Sequence, residues 1–389
     1  MVAMHIISPT WDIFCKVVDN FGDAGVCWRL ARILHREHGL RLRLWIDDLA
    51  ALHALYPALD PVAAVQQADG IIVCRWQNAP SLPEDSAVVI EAFGCGLPEG
   101  YVAAMAASNH PPLWIVLEYL SAESWVDEHH GLSSPHPRLP LPRYFFFPGF
   151  TPATGGLLRE ANLQSRRNAF DAAARQAFWR GMGFKDRGFT DAAGSALTVS
   201  LFAYDDAPVA ELLAAMAQDA NPVVAAVPGG TLMPAVRSFF GATADDQGPW
   251  RRGELEVRAL PFLSQERYDE LLWACDLNFV RGEDSFVRAQ WAARPLVWQP
   301  YRQDDGAHQR KLQAFLDRYC TGLAPESAAA LGEFWRCWTG TPAGLGAAWP
   351  ALRAVQGDIE AHAGRWSRNL AIQAGMARQL VGFVANRVK

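Results

Sequence analysis

Short hydrophobic runs alternate with longer amphipathic stretches along the first half of the chain. Runs typical of buried strands cover residues 11–18, 41–46, 71–75, 87–92 and 113–117. Between the first two runs, Trp28, Leu30, Ala31, Ile33 and Leu34 recur with a helical period and have arginines between them. Strands that alternate with helices predict a Rossmann-like parallel sheet with helices packed on its faces.

The same alternation restarts in the second half of the chain. Its candidate strands cover residues 197–202, 222–227, 255–259, 277–280 and 296–298. Between the halves, prolines and aromatic residues crowd 132–152, and a polar, helix-prone segment covers 164–187. We therefore predict two Rossmann-like α/β lobes, residues 1–180 and 181–365, and a last helix over 366–389 that crosses back to the first lobe.

The turn after the first strand, Val18-Asp19-Asn20-Phe21-Gly22-Asp23-Ala24-Gly25-Val26, is the most informative segment. It must lie at the carboxyl end of a strand, where open α/β sheets bind their ligands. Asp19 and Asp23 place two carboxylates four positions apart, and Gly22 interrupts the helix pattern between them. Paired carboxylates suit a general base or a cation site. Alternatively, Asp23 only caps the first turn of the following helix.

A second turn of similar build, Arg281-Gly282-Glu283-Asp284-Ser285, links the strand at 277–280 to a helix pattern at 286–293. The amides of Asp284 and Ser285 would lie at a helix N-terminus, which favours a bound diphosphate. Glu283 would then face a sugar or ribose. Alternatively, Ser285 is an N-cap and the acidic residues favour the positive end of the helix dipole.

These two turns carry a resemblance to a known family, together with Trp45-Ile46-Asp47-Asp48, Glu118-Tyr119-Leu120-Ser121-Ala122-Glu123 and Gly155-Gly156-Leu157-Leu158-Arg159-Glu160. The chain resembles the EarP family, the bacterial protein-arginine rhamnosyltransferases that modify elongation factor P. The matching blocks extend from the beginning of the chain to near its end. The resemblance implies the GT-B architecture, in which two Rossmann-like lobes face each other across a cleft.

The resemblance also implies a reaction. L-Rhamnose would move from dTDP-β-L-rhamnose to an arginine guanidinium of elongation factor P, with inversion of the anomeric configuration. Our own hypothesis for this reaction makes Asp23 the general base and lets Asp19 hold the guanidinium, with Glu283 as a third catalytic candidate. The family's fold usually works without a metal, so no cofactor is expected.

For the donor, the resemblance implies ring stacking on thymine by Phe262 and Tyr268 and edge hydrogen bonding by Gln265. Phe202 and Tyr204 match positions that line the same nucleotide site. The remaining residues that we assign to donor binding are Asn20, Phe21, Gly22, Arg281, Glu283, Asp284 and Ser285. A different acceptor, such as a small molecule, a lipid-linked sugar or another protein, would be compatible with the same fold.

Composition narrows the choice of partners. The 389 residues are 50% hydrophobic, enough apolar material for two cores, and their 35 basic and 41 acidic side chains give a net charge of −6. Because no long run of either sign occurs, we expect no nucleic acid or membrane partner. Seven cysteines without a C-x-x-C pair, and a start without a signal-peptide pattern, favour the cytoplasm.

Several other motifs are weak. Gly94-x-Gly96-x-x-x-Gly100 has one residue too many for the dinucleotide fingerprint, so we interpret it as a turn. His129, His130 and His136 lack the spacing of a zinc site and are interpreted as surface residues.

A nucleotide-sugar-binding regulator and a dinucleotide oxidoreductase are the alternative functions from a different class of protein. The missing dinucleotide fingerprint disfavours the oxidoreductase.

Overall fold

The computed structural model describes residues 10–19, 21–76, 82–83, 85–184, 196–340 and 342–387. The chain divides into two compact units, Met1–Ala161 with Ala371–Lys389, and Asn162–Leu370. Residues 162–180, predicted from the sequence to belong to the first lobe, belong to the second unit. There Phe178 and Trp179 pack into a buried cluster with Val224, Leu260 and Leu271.

The first unit is built on an eight-stranded sheet of order β3-β4-β2-β1-β5-β6-β8-β7. Its strands are β1 (Thr10–Cys15), β2 (Arg41–Ile46), β3 (Val65–Ala68), β4 (Ile71–Arg75), β5 (Ser86–Ala92), β6 (Leu113–Leu117), β7 (Ser133–Pro135) and β8 (Pro142–Phe146). The edge strands β3 and β7 run antiparallel to their neighbours, whereas the other pairs are parallel. Its helices include α1 (Gly22–His38), α2 (Leu49–Leu55), α3 (Glu99–Ala107) and α4 (Trp125–His129).

The second unit contains a six-stranded sheet of order β11-β12-β10-β9-β13-β14. The strands are β9 (Leu197–Leu201), β10 (Val223–Pro228), β11 (Trp250–Arg252), β12 (Leu255–Leu260), β13 (Leu277–Arg281) and β14 (Leu296–Gln299), with only β11 antiparallel. The helices are α5 (Leu163–Ala169), α6 (Ala172–Gly181), α7 (Val209–Ala217), α8 (Met233–Phe240), α9 (Gln265–Ala274), α10 (Asp284–Ala292), α11 (Ala307–Tyr319), α12 (Pro325–Thr339) and α13 (Leu345–Ala354).

Each sheet has one point at which the strand order reverses. In the first unit, β1 pairs with β2 on one side and with β5 on the other. The strands from β2 to β4 extend the sheet on one side of β1, and the strands from β5 to β8 extend it on the other side. In the second unit, β9 lies in the same way between β10 and β13. Such a reversal opens a crevice at the carboxyl ends of the two central strands, where open α/β sheets bind their ligands. The two turns singled out in the sequence follow β1 and β13.

The predicted strands are confirmed to within one residue at each end, except that the first is shorter than expected. The first was expected to reach Val18, but β1 ends at Cys15. The next amides are bound by carboxylates instead of a neighbouring strand, since Val17 N–H donates to Asp47 Oδ1 (2.8 Å) and Val18 N–H to Asp23 Oδ2 (2.8 Å). The short strands β3, β7, β8 and β11 were not predicted.

The prediction of one helix over 366–389 is wrong. Two helices, α14 (Gln356–Ile372) and α15 (Met376–Ala385), are separated by a break at residues 373–375. Gly375 is extended (φ −64°, ψ 155°), and the Arg159 guanidinium donates to the carbonyls of Ala371 and Gln373, each at 3.1 Å. These bonds satisfy the acceptors that the end of α14 leaves open, so the chain can start a new helix. α15 packs against α1 within the first unit.

A buried ionic network crosses the central strands of the first sheet. Asp12 of β1 is fully buried and accepts from Arg43 Nε (2.7 Å) and Nη2 (3.0 Å), from Trp45 Nε1 (2.8 Å) and from the Ser86 hydroxyl. Arg43 Nη1 also donates to Asp85 Oδ1 (2.7 Å). Burial alone would lower the pKa of Arg43, but the bonds and charges of the two aspartates raise it above its ordinary value. Arg43 therefore stays charged inside the sheet.

Among the described residues, the structure has no helix that is both long and apolar enough to cross a membrane.

Replacing Asp12 with Ala should destabilise the first unit strongly, because it leaves the Arg43 cation buried with one partner fewer. We expect a loss of about 3–5 kcal/mol in the free energy of unfolding. Urea unfolding followed by circular dichroism measures it. Glu360→Gln is the matched control, because it breaks an exposed pair with Arg294 (2.7 Å) and should cost about 1 kcal/mol or less. Equal losses in both variants would contradict the importance of the buried network.

Candidate active site

The first candidate site is the turn between β1 and α1. The Asp19 carbonyl accepts the Gly22 N–H (2.6 Å), and α1 begins at Gly22. Phe21 is half-buried at the N-cap position and supplies no side-chain cap. Asn20, assigned to donor binding from the sequence, lies outside the described residues. The turn thus places Asp19 before the helix and Asp23 inside its first turn.

The Asp23 carboxylate closes this turn. Its Oδ2 accepts the N–H groups of Val18 (2.8 Å) and Asp19 (2.9 Å), and the Tyr119 hydroxyl donates to Oδ1 (3.3 Å). Its partners are therefore amides upstream of the helix, whereas a helix cap would accept from the first turn itself. Asp23 is 2% exposed. Burial raises its pKa above the ordinary value, and the Asp47 charge adds to this, although the three hydrogen bonds act to lower it.

Asp19 is partly exposed, and its carboxylate lies directly over Gly22. A Cβ atom added to Gly22 would be 2.6 Å from Asp19 Oδ2 and 3.2 Å from Asp19 Cγ. Any side chain at position 22 would therefore displace that carboxylate. The backbone of Gly22 is helical, so a glycine is not required here by an unusual backbone angle. It is required by the lack of space above its Cα atom.

The second candidate site is the turn between β13 and α10. Gly282 has a positive φ of +58°, which lets the chain reverse without steric cost. The Ser285 hydroxyl accepts the Arg281 N–H (3.0 Å) and donates to the Arg281 carbonyl, while Trp298 Nε1 donates to the Gly282 carbonyl (2.7 Å). Ser285 is thus the second residue of α10, and the N-cap alternative for it is wrong.

Glu283 occupies the N-cap position of α10, is partly exposed, and accepts no hydrogen bond from the first-turn amides through its side chain. The Asp284 carboxylate accepts from Gln265 Nε2 (3.0 Å) and Arg288 Nε (2.9 Å). Two donors hold that carboxylate. At this position, therefore, the backbone N–H and not the side chain is the group suited to binding an anion. First-turn amides have no intrahelical acceptor and point out of the helix.

Arg281 places a cation beside this helix start. It is 7% exposed, and its guanidinium lies over the rings of Phe202 (4.5 Å) and Tyr204 (4.6 Å). Its Nη1 donates to the Ala203 carbonyl and to Thr231 Oγ1, each at 3.3 Å. A guanidinium held between two rings keeps a fixed direction, which suits recognition of a phosphate.

The aromatic residues predicted to hold a base lie in the second unit, Phe262 on the loop after β12 and Tyr268 in α9. Phe262 is 44% exposed. Tyr268 is half-buried and packs edge-on against Phe202 (5.6 Å, 62°), and burial raises the pKa of its hydroxyl. Gln265 is buried on the first turn of α9 and ties that helix to Asp284. The structure thus brings together Phe202, Tyr268, Gln265 and Asp284.

Sequence reasoning missed the side chains that support these groups. Arg288 bridges Asp284 and Asp269 (both 2.9 Å), and the i, i+4 spacing from Asp284 was a visible signal. Gln299, at the end of β14, accepts the Tyr204 N–H (2.8 Å) and donates to Asp206 (2.8 Å). That contact joins residues 95 positions apart, which no local pattern indicates.

The weak motifs stay outside both sites. Gly94 and Gly96 have positive φ angles in a turn before α3, as the sequence predicted. His129 is exposed, and His130 is half-buried and accepts the Phe147 N–H through Nδ1 (3.1 Å). Within the described ranges, no group of three or more His, Cys, Asp or Glu side chains is arranged to hold a metal ion.

Two Rossmann-like units, each with a candidate ligand-binding turn at its reversal point, are typical of the class of GT-B glycosyltransferases. The fold is shared with MurG of Acinetobacter baumannii (TM-score 0.52, 10% identity, 97% of this chain and 99% of that chain). It is also shared with a UDP-glucosyltransferase from Polygonum tinctorium (TM-score 0.52, 13% identity, 97% and 98%). At these identities the likeness establishes the fold alone.

Closer relatives identify the family. The family described as Elongation-Factor P (EF-P) rhamnosyltransferase EarP matches residues 11–385. The protein-arginine rhamnosyltransferases of Pseudomonas putida and Pseudomonas aeruginosa are 48% and 44% identical, over 98% and 97% of this chain and 100% and 99% of theirs. A solved structure of EarP-mediated arginine glycosylation of elongation factor EF-P matches with TM-score 0.68 and 37% identity, over 98% of this chain and 100% of that chain. The chain belongs to the EarP family of rhamnosyltransferases.

Replacing Gly22 with Ala should impair transferase activity without destabilising the protein. The new methyl group displaces the Asp19 carboxylate, and misplacement by about 1 Å costs up to a hundredfold in rate. Alanine is also the better helix former at this position. Steady-state rates and thermal unfolding measure the two effects.

Gly382→Ala is the matched control, because a Cβ there meets no atom within 4 Å. Full activity in the Gly22 variant would show that the position of the Asp19 carboxylate is unimportant.

Proposed function

We propose that this protein transfers L-rhamnose from dTDP-β-L-rhamnose to a guanidinium nitrogen of an arginine in elongation factor P, giving an α-linked product with inverted configuration. Membership of the EarP family supports the sugar and the acceptor. The observation that carries the chemistry is the buried Asp23 carboxylate at the reversal point of the first sheet. Because the acceptor is a translation factor, we place the protein in the cytoplasm.

The acceptor needs help to react. A guanidinium is protonated up to a pH of about 12, and its nitrogen lone pairs are delocalised, so it is a poor nucleophile. As the new bond from nitrogen to the anomeric carbon forms, the bond from that carbon to the dTDP oxygen breaks. The proton lost from the attacking nitrogen goes to Asp23, whose raised pKa strengthens it as a base. Asp19 holds the guanidinium by charge-assisted hydrogen bonds, which fix its attack direction.

The leaving diphosphate needs positive charge and hydrogen-bond donors. The Arg281 guanidinium, the amides of Asp284 and Ser285 at the start of α10, and the Tyr204 hydroxyl supply them. Glu283, beside those amides, faces the sugar. With the diphosphate held in this way, we infer that the reaction uses neither a metal nor another cofactor.

The base of the donor binds to the aromatic residues that follow β12. Phe262 stacks on thymine, Tyr268 and Phe202 form the neighbouring wall, and Gln265 reads the edge of the base. Phe21 and Gly22 of the first turn stay assigned to donor binding from the resemblance. The assignment of Asn20 rests on the sequence alone.

Replacing Asp23 with Asn should abolish most of the transfer while preserving the turn. The amide oxygen still accepts backbone hydrogen bonds but takes no proton, so the rate should fall by about 10²–10⁴-fold. Release of dTDP in the presence of elongation factor P measures the rate, and calorimetry with the donor measures binding, which we expect to change by less than about twofold.

The wild-type rate should fall as the pH drops through the pKa of Asp23, because the base works only when ionised. The variant should lose this dependence. Asp245→Asn, an exposed position, is the control. A loss of donor affinity in proportion to the loss of rate would contradict the role of Asp23 as base.

Chelation should leave the reaction unaffected. If Arg281 and the α10 amides hold the diphosphate, rates measured with and without EDTA should be equal. Loss of activity that a divalent ion restores would overturn this inference and would make the acidic residues metal ligands.

A further inference from the structure

Phe93, the first residue after β5, has a left-handed backbone (φ +59°) and is followed by Gly94 with φ +60°. A bulky residue rarely adopts this conformation, because its Cβ atom crowds the backbone. Non-glycine residues held in this way are concentrated at functional sites. β5 is the neighbour of β1 at the reversal point of the first sheet, so Phe93 lies at the same edge as the Asp23 turn.

The strained turn is fixed on both sides. The Phe93 N–H donates to the Leu117 carbonyl of β6 (2.6 Å). Three residues on, the Gly96 N–H donates to Glu91 Oε1 (2.9 Å), and Trp114 Nε1 donates to Glu91 Oε2 (3.0 Å). Glu91 is a buried carboxylate in β5, so its bonds hold the turn from inside the sheet. The left-handed backbone is therefore imposed by the fold.

The consequence is a defined position for the Phe93 ring. It stacks on Tyr119 with ring centroids 4.4 Å apart and an interplanar angle of 14°. Both residues are only partly buried, so the stack supplies packing for the Tyr119 ring at the exposed edge of the sheet. The Tyr119 hydroxyl in turn donates to Asp23 Oδ1 (3.3 Å). Phe93 is thus connected to Asp23 through one side chain.

We propose that Phe93 is a positioning residue for Asp23: its strained turn holds the Tyr119 ring so that the hydroxyl fixes Oδ1 of the general base. Two backbone amides already bind Oδ2, which leaves Oδ1 to accept the proton from the substrate. The hydrogen bond from Tyr119 occupies one lone pair of Oδ1, so the direction of the other lone pair is fixed. The proposal rests on the proposed role of Asp23 as the base.

The groups around Asp23 determine the sign of the effect. Burial and the charge of Asp47 raise the Asp23 pKa, whereas the amides and the Tyr119 hydroxyl lower it. Asp19 lies in the same turn, and the Cys15 thiol, whose pKa is itself raised, stays uncharged. Loss of the Tyr119 hydrogen bond therefore moves the Asp23 pKa upward. The acid limb of the pH profile of kcat/KM should move upward with it.

The test combines five variants of the full-length protein: Phe93→Gly, Phe93→Ala, Phe93→Tyr, Tyr119→Phe and the double variant Phe93→Gly with Tyr119→Phe. The Asp23 pKa is followed by NMR of protein labelled with ¹³C at the aspartate carboxyl, with Asp23→Asn to assign the signal. The pH profile of kcat/KM for transfer to elongation factor P is measured in parallel.

We expect Tyr119→Phe to increase the proton affinity of Asp23 by about threefold or more. Phe93→Gly and Phe93→Ala should shift it in the same direction, and Phe93→Tyr, which keeps a ring, should resemble the wild type. The double variant should shift no further than Tyr119→Phe alone, because the two residues act through one hydrogen bond. Phe93→Gly should also melt at a higher temperature than Phe93→Ala, since glycine relieves the strain.

Phe240→Ala is the matched control, because Phe240 is also half-buried and stacks on Trp250 (6.2 Å, 20°), but lies in the second unit. It should leave both readouts unchanged. The proposal is overturned if the Phe93 variants lower the rate while the Asp23 pKa measured by NMR and the pH profile of kcat/KM stay unchanged. It is also overturned if the shift in the double variant equals the sum of the shifts in the two single variants. If the NMR shifts appear as expected but the rate does not follow ionisation of Asp23, positioning is supported and the base role fails.

Discussion

The hydrogen bonds from the backbone to the Asp23 carboxylate are the interaction on which the candidate active site depends. Two consecutive amides after β1 donate to one carboxylate oxygen, which ends the strand, starts α1 and leaves the second oxygen toward Tyr119. One buried side chain therefore holds the turn together and, in the proposed mechanism, also takes the proton. Burial makes the carboxylate costly to keep charged and so raises its pKa.

The second unit uses a related arrangement without a charge. Ser285, like Asp23, is the second residue of a helix that follows a central strand, and its hydroxyl accepts an N–H from the end of that strand. The neutral hydroxyl leaves this helix start favourable to an anion, and the nearby Arg281 cation adds to this. Two turns of similar backbone design thus differ in the group that binds the amides at the strand end, which is a carboxylate in the first turn and a hydroxyl in the second.

Sequence patterns predicted the central strands of both sheets because those strands are buried on both faces and appear as continuous hydrophobic runs. They singled out both turns as candidate sites because carboxylates and glycines are concentrated there at the carboxyl ends of strands. They failed where long-range contacts decide the outcome. β1 ends early where Asp47 binds the Val17 amide, the last helix is broken where Arg159 binds its carbonyls, and the left-handed Phe93 is imposed by Leu117 and Glu91. The ionic network around Asp12 was hidden for the same reason.

The most direct test is intact-protein mass spectrometry of elongation factor P after incubation with this protein and dTDP-β-L-rhamnose. A second acceptor, with the modified arginine replaced by lysine, is incubated in parallel. The account predicts a mass gain of one deoxyhexose on the natural acceptor and none on the lysine variant. A gain on both acceptors, or no gain when calorimetry shows that the donor binds, would contradict arginine of elongation factor P as the acceptor.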